Sequence, residues 1–216
     1  MKIGILGSGI VGQTLGAGLR GKGHEVMLGT SRTAKLDEWV LRNAGARVGS
    51  FTEAAAFGEL VILAVKGTAA VAAVSLAGSG ALVGKVVIDA SNPIADKPPV
   101  AGVLQFFTGP NESLLEILQL NYPGIHFVKA FNSVGNAHMV DPQFAGGPPT
   151  MFIAGNDVAA KAKVAALVME LGWESADMGR AEAARAIEPL CMLWCIPGLL
   201  HNEWAHAFKL LRRSPG

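Results

Sequence analysis

Residues 2–12 read Lys-Ile-Gly-Ile-Leu-Gly-Ser-Gly-Ile-Val-Gly. A short apolar run leads into glycines at 7, 9 and 12, and a helix-like stretch, Val11–Arg20, follows. Strand, Gly-x-Gly-x-x-Gly, then helix is the context that separates a dinucleotide-binding turn from a chance cluster among 27 glycines. Gly7 allows the tight turn out of the strand, Gly9 lets the backbone approach a pyrophosphate, and Gly12 lets the helix pack closely on the sheet. The backbone of Gly7, Ser8, Gly9, Ile10, Val11 and Gly12 is therefore the expected phosphate cradle, at the positive end of the helix dipole.

Outward from this turn, further strand-like runs recur at Glu25–Leu28, Leu60–Val65, Lys85–Asp89, His126–Phe131 and Met151–Ala154, with a weaker one at Arg47–Gly49. Helix-like segments lie between most of them: Ala34–Asn43, Ala69–Leu76, Glu112–Leu120 after a cap at Pro110-Asn111, and Asp157–Leu171 between Asn156 and Gly172. Alternating strands and helices predict an α/β fold of the Rossmann type, doubly wound on a mostly parallel sheet. The expected division is a dinucleotide-binding domain over 1–180 and a C-terminal helical segment over 181–216, one helix or two bent at Pro189 or Pro197. That segment is too short to make its own core and is expected to serve dimerisation or the acceptor pocket.

Half of the 216 residues are hydrophobic and only 16% are charged, more apolar surface than one core needs, which points to a subunit interface. A net charge of +1 argues against broad binding to nucleic acid or anionic membrane. Lys209, Arg212 and Arg213 read as favourable charges in the last turn of a helix. The longest apolar run, Leu190–Leu200, is broken by Pro197 and Gly198 and is short for a membrane span. With the first strand at residue 2 or 3 there is no leader-like segment, and the expected compartment is the cytoplasm. Cys191 and Cys195 are read as small buried side chains, and no metal site is expected.

The dinucleotide is read from the end of the second strand, Leu28-Gly29-Thr30-Ser31-Arg32. NAD sites usually place a carboxylate there; here the first ones beyond the tip are Asp37 and Glu38. Thr30 and Ser31 offer hydroxyls, and Arg32 and Lys35 offer cations suited to a 2′-phosphate, so NADP is expected. The ends of the later strands should line the nicotinamide: Ala64, Val65 and Lys66; Ser91, Asn92 and Pro93; and Ala130. Pro93 favours an extended Asn92, whose carbonyl could face the cofactor.

The segments Gly-Ser-Gly-Ile-Val-Gly at 7–12, Leu-Gly-Thr-Ser-Arg at 28–32, Val-Val-Ile-Asp-Ala-Ser-Asn-Pro at 86–93 and Val-Lys-Ala-Phe-Asn-Ser-Val-Gly at 128–135 carry a family resemblance. The chain resembles NADPH-dependent reductases related to the deazaflavin-dependent (coenzyme F420) NADP oxidoreductases, and it is similar to the reductase domain of membrane ferric reductases. The likeness covers nearly the whole chain. It implies a homodimeric enzyme moving hydride between NADPH and a flavin- or deazaflavin-like acceptor without a metal. It also implies an acceptor pocket at Asn132, where many archaeal deazaflavin enzymes carry His, so this chain departs from their pattern. Asn132, Val134 and His138 are the candidate acceptor contacts, and His201–Trp204 could reach the same pocket.

Such a transfer needs stacking, orientation and exclusion of water more than an acid–base pair, and no residue is singled out as catalytic. Lys129 is an alternative general acid for a carbonyl or imine substrate. The competing non-enzymatic reading is an NADPH-binding redox sensor. A hydroxyacid-type dehydrogenase would need a further all-helical domain, and only about 35 residues follow the sheet, a fraction of a domain.

Overall fold

The structure, a computed structural model, describes residues 1–30 and 36–213. One sheet of eight strands runs β3 (Arg47–Gly49), β2 (Glu25–Gly29), β1 (Lys2–Leu6), β4 (Leu60–Leu63), β5 (Val86–Asp89), β6 (His126–Lys129), β7 (Thr150–Gly155) and β8 (Glu174–Asp177). All neighbours pair in parallel except β6 and β7, which are antiparallel. The first six strands thus end on one side of the molecule, and the chain reverses between β1 and β4, the crevice where doubly wound sheets bind ligands.

Each central strand is apolar on both faces because helices cover both. Ile3, Ile5, Leu60 and Ile62 face a core shared with α1 (Ile10–Gly21), α2 (Asp37–Arg42) and α6 (Val158–Glu170). Leu6, Val61 and Leu63 face the opposite core with α3 (Phe51–Phe57), α4 (Ala70–Leu76), α5 (Leu114–Asn121) and α7 (Ala184–Ile187). The alternation follows directly from the two-residue period of a strand.

Several sequence expectations need correction. β4 stops at Leu63 and β6 at Lys129, short of Val65 and Phe131. β8 has the weakly apolar sequence Glu-Ser-Ala-Asp and escapes a hydrophobicity reading. α3 was likewise not foreseen; its start is marked by a capping box in which Ser50 and Glu53 satisfy each other's backbone N–H. α5 is capped by Ser113 rather than Asn111, and α6 by Asp157 rather than Asn156. Gly172 does follow α6 in the left-handed region, φ 88.

After α7, helix α8 (Pro189–His201) starts on Pro189 and tolerates Pro197 inside it. It ends at Asn202, φ 59, where the chain turns back. Residues 203–213 are not helical, so Lys209 caps no helix terminus. It bonds the Pro148 carbonyl and Glu174 Oε1, both at 2.6 Å, while Thr150 N–H donates to Phe208 O and Leu210 N–H to Thr150 Oγ1. The tail is a strap along the start of β7.

Candidate functional site

β1 runs into Gly7, whose N–H donates to Gly29 O at 3.1 Å and whose φ of 131 only glycine adopts at ease. A side chain at Gly7 would collide with the Ala64 carbonyl, and one at Gly12 with the Gly7 carbonyl. At Gly9 an added Cβ would meet nothing within 4 Å. Gly9 is the N-cap of α1 and no side chain caps the helix, so its first-turn N–H groups face an open approach. Structure has thus split the triplet: two glycines serve packing, and the middle one keeps space clear above the helix end. That is what a bound pyrophosphate requires.

At the adenosine side, Thr30 is buried, its N–H donates to Gly49 O at 2.9 Å, and its hydroxyl accepts from Ser8 Oγ at 2.9 Å. The hydroxyl offered by Thr30 therefore ties the second strand to the glycine loop. Ser31, Arg32 and Lys35 lie outside the described residues.

At the other side a cleft of about 600 Å³ opens between the ends of β4 and β5, lined among others by Val65, Lys66, Gly67, Ser91, Asn92 and Lys97. Val65, Lys66, Ser91 and Asn92 are brought together there as foreseen from the strand ends. Pro93 is buried, as is Ala130, and neither lines this cleft. The Asn92 carbonyl accepts from Ile94 N–H at 2.8 Å and lies against Gly67, so it is engaged within the loop rather than held out. The loop over 94–107 folds as a hairpin: Ala95 N–H bonds Gln105 O, and Val100 and Val103 exchange both N–H···O bonds.

Beneath the cleft lies a buried ionic cluster. Lys129, on β6 beside its register partner Asp89 on β5, is fully buried. Its Nζ bonds Asp89 Oδ2 at 2.5 Å, Glu188 Oε1 at 2.8 Å and Ser91 O at 3.0 Å. Asp89 Oδ1 accepts from Ser91 N–H at 2.9 Å and Ser91 Oγ at 2.5 Å. Glu188 accepts from Leu114 N–H and Leu115 N–H at the start of α5. Burial works to lower the Lys129 pKa, but Asp89 and then Glu188 outweigh it and hold the ammonium above the ordinary lysine range. All three donors of the ammonium are thus spent inside the protein, on Asp89, Glu188 and the Ser91 carbonyl.

Phe131, next along the chain, is buried with φ 61, an uncommon conformation for a bulky residue. This turn presents Asn132 to the neighbouring loop: Asn132 Nδ2 donates to Asn92 Oδ1 at 3.2 Å and Ile187 O at 3.0 Å, and Asn92 Nδ2 donates to Asn132 O at 2.7 Å. Asn132 Oδ1 is buried without a partner. Val134 packs into the core.

His138 lies in a separate recess of about 490 Å³ with Gly135, Asn136, Trp194, Asn202 and Trp204. The Trp194 and Trp204 rings are 5.5 Å apart, and Trp194 stacks on His206 at 5.0 Å. Gly135 and Gly198 are the seats of these indoles, since a Cβ at either would strike the Trp194 or the Trp204 ring. Asn202 and Trp204 thus reach the recess by the reversal at Asn202 rather than from a helix.

Cys191 is buried and Cys195 half-buried, both as free thiols. A hydrogen bond with Cys195 and burial push the Cys191 thiol up, so it stays protonated. Among the described residues no group of three or more His, Cys, Asp or Glu is placed to hold a metal ion. By length and composition Ala181–His201 is apolar enough to cross a membrane; a third of its most apolar window (33%) is buried here, and Glu188 within it is committed to Lys129.

Sequence reasoning missed Asp89, Glu188 and Trp194 as parts of the site. The available signal was a lone Asp and a lone Lys closing two adjacent apolar strands, charges that a buried sheet accepts only as a pair.

Comparison with known proteins agrees with this geometry. Residues 2–93 match the family described as NADP oxidoreductase, coenzyme F420-dependent. A crystal structure from Arthrobacter sp. FB24, described as a candidate F420-dependent NADP-reductase, is 34% identical, with TM-score 0.91 over 98% of this chain and 100% of that one. The metalloreductase STEAP3 of Rattus norvegicus is 33% identical over 208 residues, 92% of this chain, which spans only 39% of that relative's length. An imine reductase of Streptomyces aurantiacus shares the fold at 19% identity, with TM-score 0.68 over 93% of this chain and 63% of that one. The chain belongs to the coenzyme F420-dependent NADP oxidoreductase family.

Proposed function

We propose that the protein transfers hydride between NADP(H) and a flavin- or deazaflavin-like acceptor. The observation that carries this is the pairing of an uncapped, sterically open α1 terminus at Gly9 with a cleft at the β4 and β5 ends. Reduced nicotinamide supplies the hydride when bound. The protein's part is positional: the glycine loop holds the pyrophosphate, Val65, Ser91 and Asn92 bound the nicotinamide end, and Arg32 with Lys35 meets the 2′-phosphate. The Trp194, Trp204 and His138 recess suits a planar heteroaromatic acceptor, because aromatic rings stack on such ligands with little loss of freedom.

The working unit in this reading is a homodimer. Val100, Val103 and Phe107 of the hairpin and Leu193, Leu199 and Leu200 of α8 are exposed, and Gly102 touches Leu200, so the two groups form one apolar surface. A second copy covers it, and sedimentation of the purified protein checks the mass.

The deciding assay follows loss of reduced-nicotinamide absorbance on mixing NADPH with FMN, FAD, a deazaflavin or a ferric chelate. Turnover with a flavin or deazaflavin supports the proposal. Tight NADPH binding with no turnover on any acceptor would replace it with the sensor reading.

A further inference from the structure

The mechanism proposed above leaves the most heavily buried ionic cluster among the described residues without a task. Its geometry is nonetheless aimed at the cleft. Every hydrogen-bonding group of Ser91 is taken up by two side chains: Asp89 accepts its N–H and its hydroxyl, and Lys129 donates to its carbonyl. Ser91 and the adjoining Asn92 line the cleft between β4 and β5. The same Lys129 ammonium holds Glu188, which is fixed in turn to the first N–H groups of α5. A buried ammonium between two carboxylates is a costly way to stabilise a fold, since apolar replacements of such groups are often as stable or more so. What it does give is a single backbone geometry, with neither end able to slip.

We propose that Lys129 is a positioning residue which, through Asp89 and Ser91, sets the cleft floor against which the nicotinamide ring lies, and which couples that floor to the C-terminal helical segment through Glu188. This deepens the NADP(H) reading above and rests on it. Lys129 touches no ligand itself.

Two variants test it. Lys129→Met combined with Glu188→Gln keeps the buried net charge at its present value, because one cation and one anion are lost together. Asp89→Asn leaves Lys129 paired with Glu188 but sets an amide N–H₂ against the ammonium or withdraws the acceptor from Ser91. Each is titrated with adenosine 2′,5′-bisphosphate, which carries no nicotinamide, and with NADPH, whose bound nicotinamide emission reports its surroundings.

The expected result is unchanged affinity for the bisphosphate, at least tenfold weaker NADPH binding, and loss of the wild-type change in nicotinamide emission. Folded variants that bind NADPH with wild-type affinity and emission overturn the proposal, and so does equal weakening of both ligands, which marks a purely structural role. If the double variant does not fold, Asp89→Asn decides by the same readouts. A wild-type protein that binds neither ligand would instead refute the NADP(H) reading, a distinguishable failure.

Discussion

Replacing Gly9 with alanine should separate ligand binding from folding within the glycine loop. An added Cβ at Gly9 meets no atom within 4 Å. Alanine is a poorer N-cap than glycine, by a few tenths to about 1 kcal/mol. The stiffer unfolded chain offsets this by about 0.4–1 kcal/mol. The net change in stability is then within about 0.5 kcal/mol, or roughly 1–2 °C in Tm for a chain of this size. The new methyl nevertheless occupies the approach to the α1 terminus, and each charge-assisted N–H bond to phosphate that it prevents is worth about 1.5–3 kcal/mol, roughly ten- to 150-fold in affinity.

Gly7→Ala behaves in the opposite way. It places an L side chain at φ 131 and drives Cβ into the Ala64 carbonyl. Strain of about 1–3 kcal/mol and overpacking of similar size give a loss of roughly 2–6 kcal/mol, visible without any ligand. Thermal melts with and without NADPH check both. At a hundred times Kd the wild type gains about 2.7 kcal/mol from ligand, and Gly9→Ala should lose about half of that gain or more while melting normally alone. A Gly9→Ala protein that NADPH stabilises as strongly as wild type would refute the placement of the pyrophosphate.

Arg32→Ala should raise KM for NADPH by roughly ten- to 150-fold, the worth of one charge-assisted bond to phosphate, and leave KM for NADH nearly unchanged; steady-state kinetics with both coenzymes checks this, and equal effects would sink the 2′-phosphate assignment. Hydrogen bonds from Arg185 hold the Glu116 carboxyl below the usual range against partial burial. A depressed carboxylate stabilises above its unfolded pKa of about 4.3 and loses that contribution as pH falls through the folded value. Glu116→Gln should therefore cost on the order of 1 kcal/mol or less at neutral pH, after screening, and progressively less as pH falls below about 4, as read from urea midpoints at each pH. Gly198→Ala should push the Trp204 ring off α8, at about 1–3 kcal/mol and with a red shift in tryptophan emission. Adding Trp204→Ala to that variant removes the clashing ring and should recover part of the loss.

The layout of the nucleotide-binding half was legible because its signals are local. The apolar runs around Ile5, Ile62 and Ile88 are flanked by glycine or polar breaks, and a doubly wound sheet follows from their alternation with helices. β8 was missed because Glu174, Ser175 and Asp177 are ordinary surface residues; the strand exists by pairing with β7, a tertiary effect. The tail reads as a continuation of the apolar helical segment before it, yet its backbone is drawn to the Thr150 edge instead. Asn132 was marked as a site residue, but its two donated bonds depend on the left-handed turn at Phe131, and no sequence pattern announces a strained phenylalanine. Lys129 shows the reverse case. Its strand position was plain, while its role depended on Glu188, 59 residues further on in the chain, as the numbering of the ion pair shows.

The antiparallel turn into β7 has a mechanical consequence. Because β7 and β8 run against the first six strands, β8 delivers the chain to the base of the sheet, remote from the nucleotide crevice. The stretch Ala181–His201 carries it back, and by Glu188 it has reached the last residue of β6. Its foot is pinned where Ala181 N–H meets Asn156 Oδ1, and its middle is pinned at Glu188. At about 1.5 Å per residue this makes a rod roughly 30 Å long. A load applied to its exposed leucines would bear on Glu188, and so on the Lys129 that holds the Ser91 carbonyl in the cleft lining.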